Sequence, residues 1–142
     1  MSETKSRHTV PASPVLVVES DFFLSGEIQG VLDEIGLNVQ MAPTTDAACA
    51  MAGSQAFSLA ILDPKAAGDD EARLARLLRE RNPAIGLILL FPPEGLLRLG
   101  NPEPLAKAVH LPKPFRSHAL RTAVLSVMGL DATDQPGTTI RG

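Results

Sequence analysis

Tryptophan and tyrosine are absent from this chain, and phenylalanine occurs only five times in 142 residues. A core must therefore be built mainly from aliphatic side chains, and a hydrophobic content of 44% is enough to fill one domain. A single cysteine, Cys49, cannot close an internal disulfide, which suits a reducing cytoplasm. In the small-residue run DAACAMA it reads as a small buried hydrophobe. Lysine and arginine (13) are outnumbered by aspartate and glutamate (16), for a formal net charge of −3. The basic footprint of a nucleic-acid binder is missing, so no nucleic-acid partner is expected. No apolar run approaches the roughly 18 residues of a membrane span. The opening MSETKSRHTVPASP also lacks the apolar stretch of a secretory signal. No cluster of His and Cys at zinc-ligand spacing is present, and His8 and His118 read as surface residues.

What is there is a regular alternation. Residues 1–13 read as a flexible lead-in and 131–142 as a disordered tail, leaving 14–130 as one domain. Residues 14–19 form a continuous apolar run typical of a strand buried on both faces. Asp21 or Ser20 then caps a helix whose Leu24, Ile28, Val31, Leu32 and Ile35 follow the 3.6-residue period, and Gly36 ends it. An alternating strand at 37–42 and an alanine-rich helix at 46–53 follow. SLAILD, 58–63, is a second buried strand ending in an acid, and a helix over 69–81 buries Leu74, Leu77 and Leu78. Its acids stand first and Arg79 and Arg81 last, as the helix dipole favours. IGLILLF, 85–91, and VHL, 109–111, read as two more buried strands, and a last helix covers 117–128. Phe22 and Phe23 read as a pair with one ring in the core and one on the surface.

Buried strands alternating with amphipathic helices predict an α/β fold, with a parallel sheet covered on both faces. Ligands of such sheets sit beyond the carboxyl ends of the strands. Glu19 follows the first strand, Asp63 the third and Lys113 the fifth, so the three are expected in one crevice.

Five βα units with VLVVES (15–20), SLAILD (58–63) and LPKPF (111–115) resemble the receiver domain of two-component response regulators over about residues 14–130. The resemblance implies a doubly wound, flavodoxin-like sheet of strand order 2-1-3-4-5. It also implies that Asp63 accepts a phosphoryl group from a histidine kinase or phosphotransfer protein, and that Lys113 contacts that group. Mg²⁺ is implied as cofactor, held by Glu19, Asp63, the backbone carbonyl of Lys65, and Asp21 standing in for Ser20, which occupies the usual second acidic position. A carboxylate nucleophile meeting a polyanionic donor needs such cations to offset the developing charge.

Three residues depart from the family pattern. Phe91 falls where the family has Thr or Ser, and no Ser or Thr occurs between Ser58 and Ser117, so the strand-four hydroxyl is lost at any register. Ser20 weakens the implied Mg²⁺ site, because a displaced Asp21 is a poor substitute in a near-octahedral shell. His110 stands at the aromatic switch position and reads as a packed strand residue. The segment 92–108 holds Pro92, Pro93, Pro102 and Pro104, so the fourth helix is short or irregular. Leu96, Leu97 and Leu99 there are candidates for a homodimer or partner surface.

The reading is a non-enzymatic, cytoplasmic receiver that signals through a downstream protein partner. The alternative is a degenerate receiver acting as a phosphorylation-independent interaction module. A dehalogenase-like hydrolase with Asp63 as nucleophile is disfavoured, because its general acid would stand at Lys65.

Overall fold

The computed structural model describes residues 13–63, 71–91 and 108–130. Strand β1 (Val15–Val18) is buried along its whole length, as an all-apolar run rich in β-branched residues favours. Helix α1 (Phe22–Ile35) starts where the Asp21 carboxylate accepts the Leu24 N–H at 3.0 Å. It ends at Gly36, whose φ of 95° is a left-handed conformation that a Cβ would disfavour. Strand β2 (Val39–Ala42) leads to helix α2 (Thr45–Ser54), where the Thr44 hydroxyl accepts the Ala47 N–H. Strand β3 (Leu59–Leu62), helix α3 (Glu71–Arg81), strand β4 (Gly86–Phe91), strand β5 (Val109–Pro112) and helix α4 (Ser117–Val127) follow.

All strand pairs are parallel, and the five strands lie in the order β2-β1-β3-β4-β5. Alternate residues of the central strands feed two separate cores. Leu16, Val18, Ala60, Leu62, Leu87 and Leu89 pack with Ala48, Cys49, Ala52, Leu74 and Leu78 of α2 and α3. Val15, Val17, Leu59, Ile61, Ile88 and Leu90 pack on the other face with Ile28, Leu32, Leu120 and Val124 of α1 and α4. Both faces are thus covered, which is why these strands are continuous apolar runs. Gly86 is the close-approach point of α4, since a Cβ there would overlap the Val127 side chain. Arg81 donates to the Gly53 carbonyl and Asn82 Nδ2 to the Phe57 carbonyl at 2.9 Å, joining the end of α3 to α2 and the approach to β3. No helix among the described residues is long and apolar enough to cross a membrane.

Two expectations are corrected. VHL is not a buried strand. β5 is the sheet edge, where Leu111 alone is buried and Val109 is 38% exposed. Burial there falls because β5 has one neighbouring strand instead of two. Phe22 and Phe23 do not divide between core and surface: they are 83% and 81% exposed. The inward stripe of α1 begins one residue later, at Leu24, and both rings precede it on the opposite side. The Pro-rich segment with Leu96, Leu97 and Leu99, and the loop carrying Lys65, lie outside the described residues, as do 1–12 and 131–142.

Candidate functional site

Parallel pairing matches Val18 of β1 with Leu62 of β3, so Glu19 and Asp63 leave neighbouring strands at the same level. The Asp63 N–H donates to the Val18 carbonyl at 2.9 Å, and the Glu19 N–H donates to the Ala42 carbonyl at 3.2 Å. Backbone pairing thus continues past the strand ends and holds both carboxyl-bearing residues in place. Both are buried, Asp63 at 1% and Glu19 at 5% exposure.

Lys113 leaves the end of β5, two strands away from β3, and its peptide bond to Pro114 is cis. Its long side chain reaches back across the sheet end. The ammonium Nζ lies 3.1 Å from Asp63 Oδ2 and 3.3 Å from Glu19 Oε1. Only the contact to Asp63 has hydrogen-bond geometry; Glu19 Oε1 is an ion-pair partner that accepts no hydrogen bond. The other Glu19 oxygen, Oε2, accepts the Asp21 N–H at 3.1 Å.

This packing has an electrostatic consequence. Burial pushes the Glu19 carboxyl above the ordinary value of 4.5; the Asp21 N–H opposes the rise, the neighbouring Asp63 adds to it and Lys113 opposes it. With all three groups ionised, two carboxylates face one ammonium, and the crevice keeps a net negative charge. An incoming cation or a proton is favoured there.

Of the residues singled out from the sequence, Glu19, Asp63 and Lys113 converge. Asp21 does not join them: its side chain caps α1 and is exposed. Ser20 is exposed beside the crevice. His110 is half-buried on β5, and His118 is exposed. Among the described residues, no three His, Cys, Asp or Glu side chains gather as a ready metal site. The Lys113–Glu19 contact was not legible in the sequence, because nothing in LPKPF tells how far the side chain reaches over the sheet.

No protein-family model and no curated protein matches the sequence. Solved structures do match. A response regulator receiver protein from Sinorhizobium medicae WSM419 is 22% identical, with a TM-score of 0.69 over 85% of this chain and 98% of its own. A receiver domain of a sensor histidine kinase from Pseudomonas aeruginosa PAO1, with a magnesium ion coordinated in its active site cleft, is 21% identical, with a TM-score of 0.66 over 84% of this chain and 99% of its own. An adenylate cyclase structure from Rhodopirellula baltica is 18% identical, with a TM-score of 0.68 over 83% of this chain and 88% of its own. The chain has the fold of the response regulator receiver domains, with a half-buried Lys113 joining the buried carboxylates of Glu19 and Asp63 at the carboxyl end of its sheet.

Proposed function

We propose that this chain is a receiver in two-component or phosphorelay signalling, phosphorylated on Asp63 by a histidine kinase or phosphotransfer protein. The observation that carries the reading is the convergence of Glu19, Asp63 and Lys113 from three separate strand ends. An Asp63 carboxylate oxygen attacks the phosphorus of a phosphohistidine. A P–O bond forms, the P–N bond breaks, and the electron pair leaves on the imidazole nitrogen. The Lys113 ammonium, already 3.1 Å from Asp63, is placed to offset charge on the phosphoryl oxygens. The chain turns over no substrate of its own. It works in the cytoplasm and passes its state to a protein partner.

Mg²⁺ fits the donor set. Glu19 Oε1 is a buried oxygen that accepts no hydrogen bond, and Asp63 adds a second hard ligand beside it. We assign Asp21 as a further ligand, at the cost of its helix cap; the Lys65 carbonyl, implied by the family resemblance, lies outside the described residues. When bound, the ion supplies positive charge to the phosphoryl oxygens. Binding is weak, because Lys113 already neutralises part of the acid pair.

The test is incubation of the full chain with acetyl phosphate and Mg²⁺, followed by intact-mass measurement. One hydroxylamine-labile phosphoryl group, absent in Asp63→Asn, is the expected result. An unmodified chain overturns the reading and leaves the phosphorylation-independent interaction module. The absence of any Ser or Thr between Ser58 and Ser117 favours that second reading.

A further inference from the structure

Helix α3, EARLARLLRER, carries four arginines against two glutamates in a chain whose net charge is negative. Among the described residues none of the four forms an ion pair. Arg73 donates to the Cys49 Sγ at 3.5 Å, and a thiol is a weak acceptor. Arg81 donates to the Gly53 carbonyl, Arg79 Nε is buried without an acceptor, and Arg76 is exposed. The helix dipole accounts for only part of this set. Arg79 and Arg81 stand in the last turn, where cations are favoured, but Arg73 is the third residue, in the first turn, where a cation is disfavoured. Glu80 and, on α2, Asp46 are exposed, and neither pairs with an arginine. Solubility does not call for these side chains either, since each arginine brings the charge of this chain nearer to zero.

Geometry and charge together identify the occupant. At 100° per residue, with Leu74, Ala75 and Leu78 turned into the core, Arg73 and Arg76 fall on either side of the outward direction and Arg81 on the flank that meets α2. From Arg73 to Arg81 the row runs about 12 Å along the helix. Such a line of guanidinium forks suits several carboxylates of one polypeptide better than a single small anion. The large apolar side chains exposed among the described residues are Phe22 and Phe23 of α1 and Val109 of β5, so this face offers nothing to insert into a lipid surface. The negative charge of the whole chain opposes a nucleic acid. We propose that the solvent face of α3 is a docking surface for an acidic segment of a partner protein, whose Asp and Glu side chains take the guanidinium groups of Arg73, Arg76 and Arg81. Helix α3 runs back to the amino end of the sheet, where Arg81 and Asn82 reach α2 and the approach to β3, and it shares no residue with the Glu19, Asp63 and Lys113 crevice. The surface acts independently of phosphoryl transfer.

The test uses the ¹⁵N-labelled full chain titrated with a synthetic helical peptide of alanine and glutamate, and with the same peptide carrying lysine for glutamate. Saturable amide shifts centred on 73–81 are expected with the glutamate peptide alone. Arg73→Gln/Arg76→Gln weakens binding about tenfold or more, as charged anchors of an interface should. It keeps the parent's thermal midpoint, since both positions are exposed. Arg116→Gln/Arg121→Gln, a change of equal charge beside and on α4, leaves binding as it was. Asp63→Asn binds the peptide as the parent does, so failure of phosphorylation and failure of docking are read separately. Phosphatidylserine vesicles or a DNA duplex bound more tightly than the glutamate peptide would overturn the proposal. So would the lack of a saturable shift, shifts centred elsewhere, equal binding of the lysine peptide, unchanged affinity in Arg73→Gln/Arg76→Gln, or self-association that this variant abolishes in sedimentation.

Discussion

The Lys113 ammonium lies 3.1 Å from Asp63 Oδ2 across a separation of fifty residues, and Lys113 is about one-quarter exposed while Asp63 is almost wholly enclosed. The lysine closes over the acid from the solvent side. Buried carboxylates of this kind persist only when a partner compensates them, and Lys113 compensates two at once.

Removal of the ammonium is therefore costly. Lys113→Met is expected to lower stability by about 3 kcal/mol at neutral pH, the low end for a broken buried pair because solvent reaches the site. The double variant Lys113→Met/Asp63→Asn recovers most of the loss. Urea unfolding of the three proteins measures both effects, and an unchanged midpoint in Lys113→Met would sink the account.

The raised Glu19 carboxyl gives a pH dependence of definite sign. The folded state holds this proton more tightly than the unfolded chain does, so its contribution to stability is complete below about pH 4.5 and is lost as pH rises through the raised value. Glu19→Gln removes that slope. Relative to the parent, the variant is expected to gain stability as pH rises from 4.5 through the raised value, and to gain no more above it. Denaturation midpoints collected across that range decide the matter, and a gap that narrows with rising pH would be the contrary result.

Mg²⁺ affinity should respond oppositely to the two neighbours of Asp63. Lys113→Met frees the acid pair and is expected to tighten Mg²⁺ binding about tenfold, or roughly 1.4 kcal/mol. Glu19→Gln weakens it by a similar factor. Isothermal titration of each purified variant reports the order, and tighter binding in Glu19→Gln would show that Glu19 is no ligand.

Gly86→Ala places a methyl group against Val127 and is expected to cost about 1–3 kcal/mol, the usual range for overpacking. Val127→Ala in the same chain should relieve it. A double-mutant cycle in urea checks this, with additive losses as the outcome that would refute the close approach.

Much of the fold was legible residue by residue. VLVV, LAIL and GLILLF could be read as strands because burial on both sheet faces demands apolar residues at every position, and the two cores confirm that demand. Asp21 as cap and Gly36 as helix stop were readable because both act on their own neighbouring backbone. VHL misled, because an apolar triplet carries no mark of whether a strand has one neighbour or two.

The sequence by itself determined the periodicities, the caps and the three charged residues that end β1, β3 and β5, since each depends on contacts a few residues away. Tertiary structure decided the rest. Parallel register set Glu19 beside Asp63, the reach of Lys113 over the sheet end joined it to both, and the orientation of α1 left Phe22 and Phe23 in solvent. Those outcomes depend on where strands and helices lie relative to one another, and distances across a sheet are not written in any local run of residues.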